Sequence, residues 1–183
     1  MSTTTVFLIS FNRLTWLQRM AEQCEWFDED VDINIVDNDS TYEPLLDWYG
    51  TCGYTIHFLG RNLGKGAVWK SDLDKSEGSE YYVVSDPDLD MAGIPGDLFQ
   101  KMREGLDRFK GTRSVGVSLE LDDIPDAHWN KKEVIRWESR YWNSKIDGKN
   151  GLYWKAPVDT TFAMYRLGDK PTYGNGPSLR SRS

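Results

Sequence analysis

Four short apolar runs, separated by helical patterns and closed by polar turns, constrain this chain most. Thr5–Ser10 (TVFLIS), Asp32–Val36 (DINIV), Tyr54–Leu59 (YTIHFL) and Tyr81–Ser85 (YYVVS) are rich in β-branched and aromatic residues. Such runs are strand-like, and the first resembles a strand buried on both faces. After it, Trp16, Leu17, Met20, Ala21, Cys24 and Phe27 recur at three- and four-residue steps, with Thr15 or Asn12 near the start. That spacing marks an amphipathic helix. Leu45, Leu46, Trp48 and Tyr49 suggest a short helix stopped by Gly50 and Gly53; a loop over Gly60–Lys65 leads to a helix over Ala67–Leu73. Strands alternating with helices imply βαβ units and a mostly parallel sheet. Ligands on such sheets sit at the carboxyl ends of the strands. Ser10–Arg13, Asp37–Ser40 and Asp86–Asp90 all fall there, so the topology gathers three distant polar segments at one edge.

The second half is patterned differently. Leu98, Met102, Leu106 and Phe109 predict a helix, Ser114–Leu119 a strand, Glu133–Trp142 a helix and Thr160–Tyr165 a strand. Trp129, Trp137, Tyr141, Trp142, Tyr153, Trp154, Phe162 and Tyr165 cluster here. Most aromatics of this kind build core, but such a cluster can leave a ring or two exposed. Lys170–Ser183 is rich in Gly, Pro, Ser and Arg and reads as a mobile tail. The 183 residues suit one domain that needs neither disulfides nor a structural metal.

Charge narrows the partners. With 22 basic and 29 acidic side chains the formal charge is −7, which argues against nucleic acid and anionic membranes but allows one small anion held through a metal. Cys24 and Cys52 form no CxxC pair or zinc spacing and read as free thiols of a reducing compartment. Val6–Ile9 is too short for a signal peptide or a membrane span. The expected location is therefore cytoplasmic, and the Asn38-Asp39-Ser40 sequon reads as chance.

Ser85-Asp86-Pro87-Asp88-Leu89-Asp90 is the sharpest chemical signal. Alternate residues of an extended segment share a face, and Pro87 stops the strand from pairing onward. Clustered carboxylates require solvent, a proton or a cation. Mg²⁺ or Mn²⁺ takes oxygen ligands, often one or two carboxylates plus substrate phosphates. Two other patterns fail on the residues that carry their chemistry. Gly60–Gly66 (GRNLGKG) has three residues between its first two glycines, and Gly66 where a P-loop has Ser or Thr. The run from Asp72 has Glu77 and Val83 where a calcium loop needs Gly and Glu.

Together, Ser10-Phe11-Asn12-Arg13, Val36-Asp37-Asn38-Asp39-Ser40, Arg61-Asn62-Leu63-Gly64 and Ser85-Asp86-Pro87-Asp88 resemble, in order and spacing, the nucleotide-sugar half of GT-A glycosyltransferases of family 2. The likeness covers about residues 4–95. Asp159-Thr160-Thr161-Phe162-Ala163 resembles a later segment of related small glycosyltransferases, where an acidic residue lies near the acceptor. Leu121–Pro125 and Trp137-Glu138 carry a weaker likeness.

The resemblance implies an α/β/α sandwich with a mostly parallel, mixed sheet. It forms one domain over 1–169, with a nucleotide-sugar half (1–95) and an acceptor half (96–169). It implies transfer of a sugar from a UDP- or GDP-linked donor to a saccharide or other hydroxyl acceptor, aided by Mn²⁺ or Mg²⁺. Phe11, Asn12 and Arg13 would line the nucleotide cleft. Asp37 or Asp39 would bond the base or ribose. Asn62 and Lys65 would lie near the phosphates or the sugar. Asp86 would contact the ribose or metal-bound water, and Asp88 would ligate the metal. Residue chemistry alone also permits Asx-turn roles for Asp37, Asp39 and Asn62 and a solvated charge at Lys65.

An inverting enzyme further needs a base for the acceptor proton. Asp159, 71 residues after Asp88, is the first candidate and Glu138 the second, ahead of Asp122 and Asp123. His57 is expected in the core and His128 in a loop. Many GT-A enzymes take a third metal contact from a late His, which Thr172–Ser183 lacks; water would complete the shell, the metal would bind weakly, or the native domain would extend further. Two other classes remain. A nucleotidyltransferase needs an early Gly-rich basic loop, and residues 5–16 contain no glycine. A non-catalytic carbohydrate-binding domain would bind sugars without metal.

Overall fold

The computed structural model describes residues 3–75, 79–148, 151–158 and 162–169, together with the backbone of 178–181. The strands are β1 (Thr4–Ser10), β2 (Val31–Asp37), β3 (Thr55–Phe58), β4 (Tyr81–Ser85), β5 (Ser114–Val117), β6 (Tyr153–Lys155), β7 (Ala163–Arg166) and β8 (Ser178–Ser181). They form one sheet in the order β3-β2-β1-β4-β7-β5-β8-β6. β1 to β4 are mutually parallel. β7 runs antiparallel to both β4 and β5, so β4 and β5 point the same way. β8 is parallel to β5, and β6 is antiparallel to β8.

The α-helices among the described residues are α1 (Leu14–Cys24), α2 (Glu43–Tyr49), α3 (Ala67–Lys70), α4 (Leu98–Arg108) and α5 (Lys131–Ser139). β1 alternates its side chains between two cores. Val6 and Leu8 pack with α1, α2 and α4, while Phe7 and Ile9 pack with α3 and with Tyr82 and Tyr165. This is the three-layer arrangement expected of a strand apolar on both faces. Each such side chain contributes about 1.5–3 kcal/mol when fully buried. The aromatics supply much of this packing: Tyr82 and Tyr165 stack at 5.6 Å, and Trp69 Nε1 donates to the Tyr82 hydroxyl at 2.9 Å. Among the described residues no helix is long and apolar enough to cross a membrane.

Five expectations need correction. The helix over Ala67–Leu73 stops at Lys70 and resumes as a 3₁₀ turn over Leu73–Lys75. Ser71 Oγ donates back to the carbonyls of Ala67 and Val68 at 2.7 and 3.3 Å, and Asp72 turns to φ +58°; such back-bonding competes with helix continuation. Ser178–Ser181, inside the expected mobile tail, pairs with β5 and β6. Trp16, placed on the apolar face of α1, is 46% exposed. Asn12 does not cap α1: its side chain turns to α2. His57 is half-buried at the sheet edge, where its Nε2 lies 2.8 Å from Asn34 Oδ1.

Burial, helped by the charge of Glu25, pushes the Cys24 thiol up to about 12, so it holds its proton and reacts poorly. Cys52 is only half-buried. A thiol reagent at mildly alkaline pH is therefore expected to modify Cys52 in the native protein and Cys24 only after unfolding. Rapid native labelling of Cys24, located by peptide mass, would contradict this packing.

Candidate active site

The carboxyl ends of β1, β2 and β4 open on a cleft of about 330 Å³. Phe11 and Arg13 enter from the turn after β1, Asn62 and Lys65 from the loop after β3, and Asp86 and Asp88 from the turn after β4. Six residues singled out from sequence therefore share one wall. Arg13 forms an ion pair with Asp88, both half-exposed.

The third acid of the turn points elsewhere. Asp90 accepts from Gln23 at 2.7 Å, from Arg19 at 2.6 Å and from the Ala92 N–H at 3.1 Å. The Gln23 bond, then the Ala92 bond and the Arg19 charge, hold its carboxyl below the usual range. Asp90 thus fastens the acidic turn to α1.

Two residues expected in the cleft serve as framework instead. The Asp37 carboxylate is 2% exposed. Its Oδ1 accepts the Ser40 N–H at 2.9 Å, and its Oδ2 accepts the Tyr49 hydroxyl at 2.9 Å. Burial, followed by the adjacent Asp37 charge, pushes the Tyr49 phenol well above its ordinary value, so Tyr49 remains a donor. Asn12, at φ +55°, accepts the N–H groups of Thr41 and Tyr42 at 2.7 and 2.9 Å. Its own N–H donates to Ser40 Oγ at 2.9 Å. Of the pair Asp37 and Asp39, only Asp39 is exposed, at φ +70°.

The sequence reading missed Asn38. It is 3% exposed and lines the cleft. Its amide donates to the Gly64 carbonyl at 3.2 Å and accepts the Leu63 N–H at 3.1 Å, tying the loop that carries Asn62 and Lys65 to the end of β2. Gly64 sits at φ +68°, where an L side chain is strained. Asn62 spends its Oδ1 on the Gly64 N–H at 2.8 Å, so it is both turn residue and cleft residue. The only available signal for Asn38 was its place in a polar turn after a strand.

Among the described residues no three acidic, His or Cys side chains gather as a metal cage. Asp86 and Asp88 nevertheless line the same cleft. Two carboxylates fit a hard divalent ion whose remaining ligands are phosphate and water.

Asp159, the first candidate base, lies outside the described residues. The chain after it is anchored: the Phe162 N–H donates to Ser85 Oγ at 3.2 Å, and Ala163 pairs with Val84. Phe162 is fully buried at φ +28°, an unusual conformation for a bulky residue. Glu138 is on α5, which buries none of its residues, and it lines neither cleft.

A second cleft of about 570 Å³ lies in the other half, lined by Ser118–Asp122, Trp142 and Trp154. Asp123 and His128 are exposed and outside it.

No protein-family model matches the sequence, and no curated protein matches it. Solved structures do match. A mannosyltransferase from Pyrobaculum calidifontis, bound to GDP-Man and Mn²⁺, superposes with TM-score 0.57 at 14% identity over 95% of this chain and 49% of its own. Glucosyl-3-phosphoglycerate synthase from Mycobacterium tuberculosis, bound to UDP, gives 0.52 at 13% identity over 90% and 57%. TarS from S. aureus, bound to UDP-GlcNAc, gives 0.55 at 11% identity over 91% and 46%. The chain spans about half the length of these proteins. At such identities the likeness speaks for architecture alone: this chain has the GT-A fold, as its N-terminal motifs imply.

Proposed function

We propose that the protein transfers a sugar from a nucleoside-diphosphate donor to an acceptor hydroxyl, with Mn²⁺ or Mg²⁺ held by Asp86 and Asp88. The carrying observation is the convergence of Phe11, Arg13, Asn62, Lys65, Asp86 and Asp88 on one cleft at the carboxyl edge of the parallel strands. The nucleotide and nucleotide-sugar complexes of the structural neighbours support the donor class.

Each residue has a physical task in this reading. The half-exposed Phe11 ring offers a face to the base. Asp39, the exposed acid of the turn after β2, accepts from base or ribose. Arg13 and Lys65 supply positive charge to a diphosphate; without them and a cation, Asp86 and Asp88 would repel it. A bound divalent ion neutralises the charge that develops on the leaving diphosphate. Asp159 takes the acceptor hydroxyl proton as that oxygen bonds the anomeric carbon and the bond to the diphosphate breaks. It precedes by three residues the Phe162 anchored beside Asp86. Glu138 is the second candidate.

Thermal-shift titration with UDP, GDP and their sugars tests the donor. Stabilisation is expected only when Mn²⁺ or Mg²⁺ accompanies the nucleotide. Stabilisation of equal size in chelator would sink the metal role, and none under any condition would sink the donor class. Asp159→Asn should keep the shift and lose donor turnover by about 10²–10⁴-fold. Unchanged turnover eliminates it as the base, and the same measurement on Glu138→Gln then decides the second candidate.

A further inference from the structure

We infer that the larger cleft takes a neutral, hydroxyl-rich saccharide, without phosphate or carboxylate groups, as the acceptor; this rests on the glycosyl-transfer reading. β5 runs in the same direction as β4, so Ser118–Asp122 leaves the sheet at the edge from which Asp86 and Asp88 also leave. β6 is antiparallel to β8, which is parallel to β5, so β6 enters at that edge. Between the two clefts stands the start of β7, fixed by the Phe162–Ser85 hydrogen bond. An acceptor in one cleft and a donor in the other would face each other across that short strand end.

The walls define the ligand. Trp142 and Trp154 meet edge to face, with centroids 4.8 Å apart at 75°. The Lys145 ammonium lies 4.7 Å from the Trp154 ring centroid, so one face of that ring is covered, and Trp142, half-buried, is the ring we assign to the sugar. Glu120 and Asp122 are exposed and line the same space. Carboxylates accept hydrogen bonds and donate none, which suits sugar hydroxyls. Glu120 and Asp122 would repel a phosphate or carboxylate on the acceptor, while the nearby Lys145 ammonium lies against the Trp154 ring. Two Trp rings set among hydroxyl and carboxylate groups, in a volume of about 570 Å³, can stack on a pyranose and hydrogen-bond its hydroxyls.

Saturation-transfer NMR on the metal-free, nucleotide-free protein tests this. The probes are maltose, cellobiose and N,N′-diacetylchitobiose at millimolar concentration, with glucose 6-phosphate and glucuronic acid as anionic counterparts. At least one disaccharide is expected to bind and neither anion. Trp142→Ala should weaken the disaccharide about tenfold or more while leaving the thermal shift with UDP and Mn²⁺ unchanged. The exposed pair Glu120→Gln with Asp122→Asn, which tests the charge argument without touching the packing, should admit the anions. The inference is overturned if no disaccharide binds, if an anion binds as well as the sugars, or if both variants bind like the parent. Disaccharide binding without any nucleotide shift would instead overturn the donor reading and leave the pocket standing.

Discussion

Asp88→Ala is expected to lower the metal-dependent affinity for a nucleoside diphosphate by roughly 100-fold or more, since loss of even an outer-shell partner typically costs a metal site 10–100-fold. Among the described residues, the one other carboxylate lining this cleft is Asp86. Arg13 makes the prediction sharper. Its guanidinium pairs with Asp88, and removing the carboxylate releases that charge into the cleft. Binding of UDP in chelator should therefore rise a few-fold in Asp88→Ala, while the gain on adding Mn²⁺ disappears. Arg13→Ala should do the opposite: Asp88 is left without its guanidinium, so Mn²⁺ alone binds more tightly and the diphosphate less. Neither change should unfold the protein. The pair is half-exposed, at 52% and 40%, and such pairs contribute at most about 1 kcal/mol. Calorimetric titration of each variant with Mn²⁺, UDP and both separates these terms. Retention of the full metal-dependent gain in Asp88→Ala would remove Asp88 from the metal site.

How far the sequence reached depends on the range of the interactions involved. β1, β2, β4 and α1 were legible because each carries its own pattern and is closed by polar residues. Four short strands with parallel neighbours then brought Arg13, Asn62 and Asp88 together without any knowledge of contacts. β6 and β8 were not legible. β6 has three residues, too few for a period to show, and β8 lies in a stretch rich in Gly, Pro, Ser and Arg and is selected by β5, 64 residues earlier at Ser114↔Ser178.

The polar turn after β2 failed for a related reason. Asp37, Asn38 and Asp39 are alike in chemistry and adjacent in sequence, and what separates their roles is the partner each meets. Asp37 meets Tyr49, and Asn38 meets the loop at Leu63–Gly64. Asp39 faces solvent. Its place after a strand marked the turn as a candidate without saying which residue builds it and which residue faces outward.

That division of labour gives Asp37→Ala the largest expected effect on stability. Two buried donors, the Ser40 N–H and the Tyr49 hydroxyl, lose their acceptor. Each unsatisfied buried group costs about 1–3 kcal/mol, so a loss of roughly 3 kcal/mol, or about 6–12 °C in Tm, is expected. This is a large part of the roughly 5–15 kcal/mol of a typical domain. Asp37→Asn should recover part of it, because the amide oxygen can still serve one donor while its NH₂ opposes the other. Tyr49→Phe leaves one acceptor, Asp37 Oδ2, without its donor, whereas Asp37→Ala strands two donors, so Tyr49→Phe should cost less than Asp37→Ala. The disturbance should also reach the cleft. Ser40 Oγ holds the Asn12 N–H, and Asn12 holds the entrance to α2, so the Phe11–Arg13 wall loses its brace and nucleotide affinity falls in Asp37→Ala even where the protein is folded. Urea unfolding of the three variants measures the ordering, Asp37→Ala below Asp37→Asn and Tyr49→Phe. Equal midpoints for Asp37→Ala and the parent would mean that this carboxylate does not hold the turn and is available to the nucleotide after all.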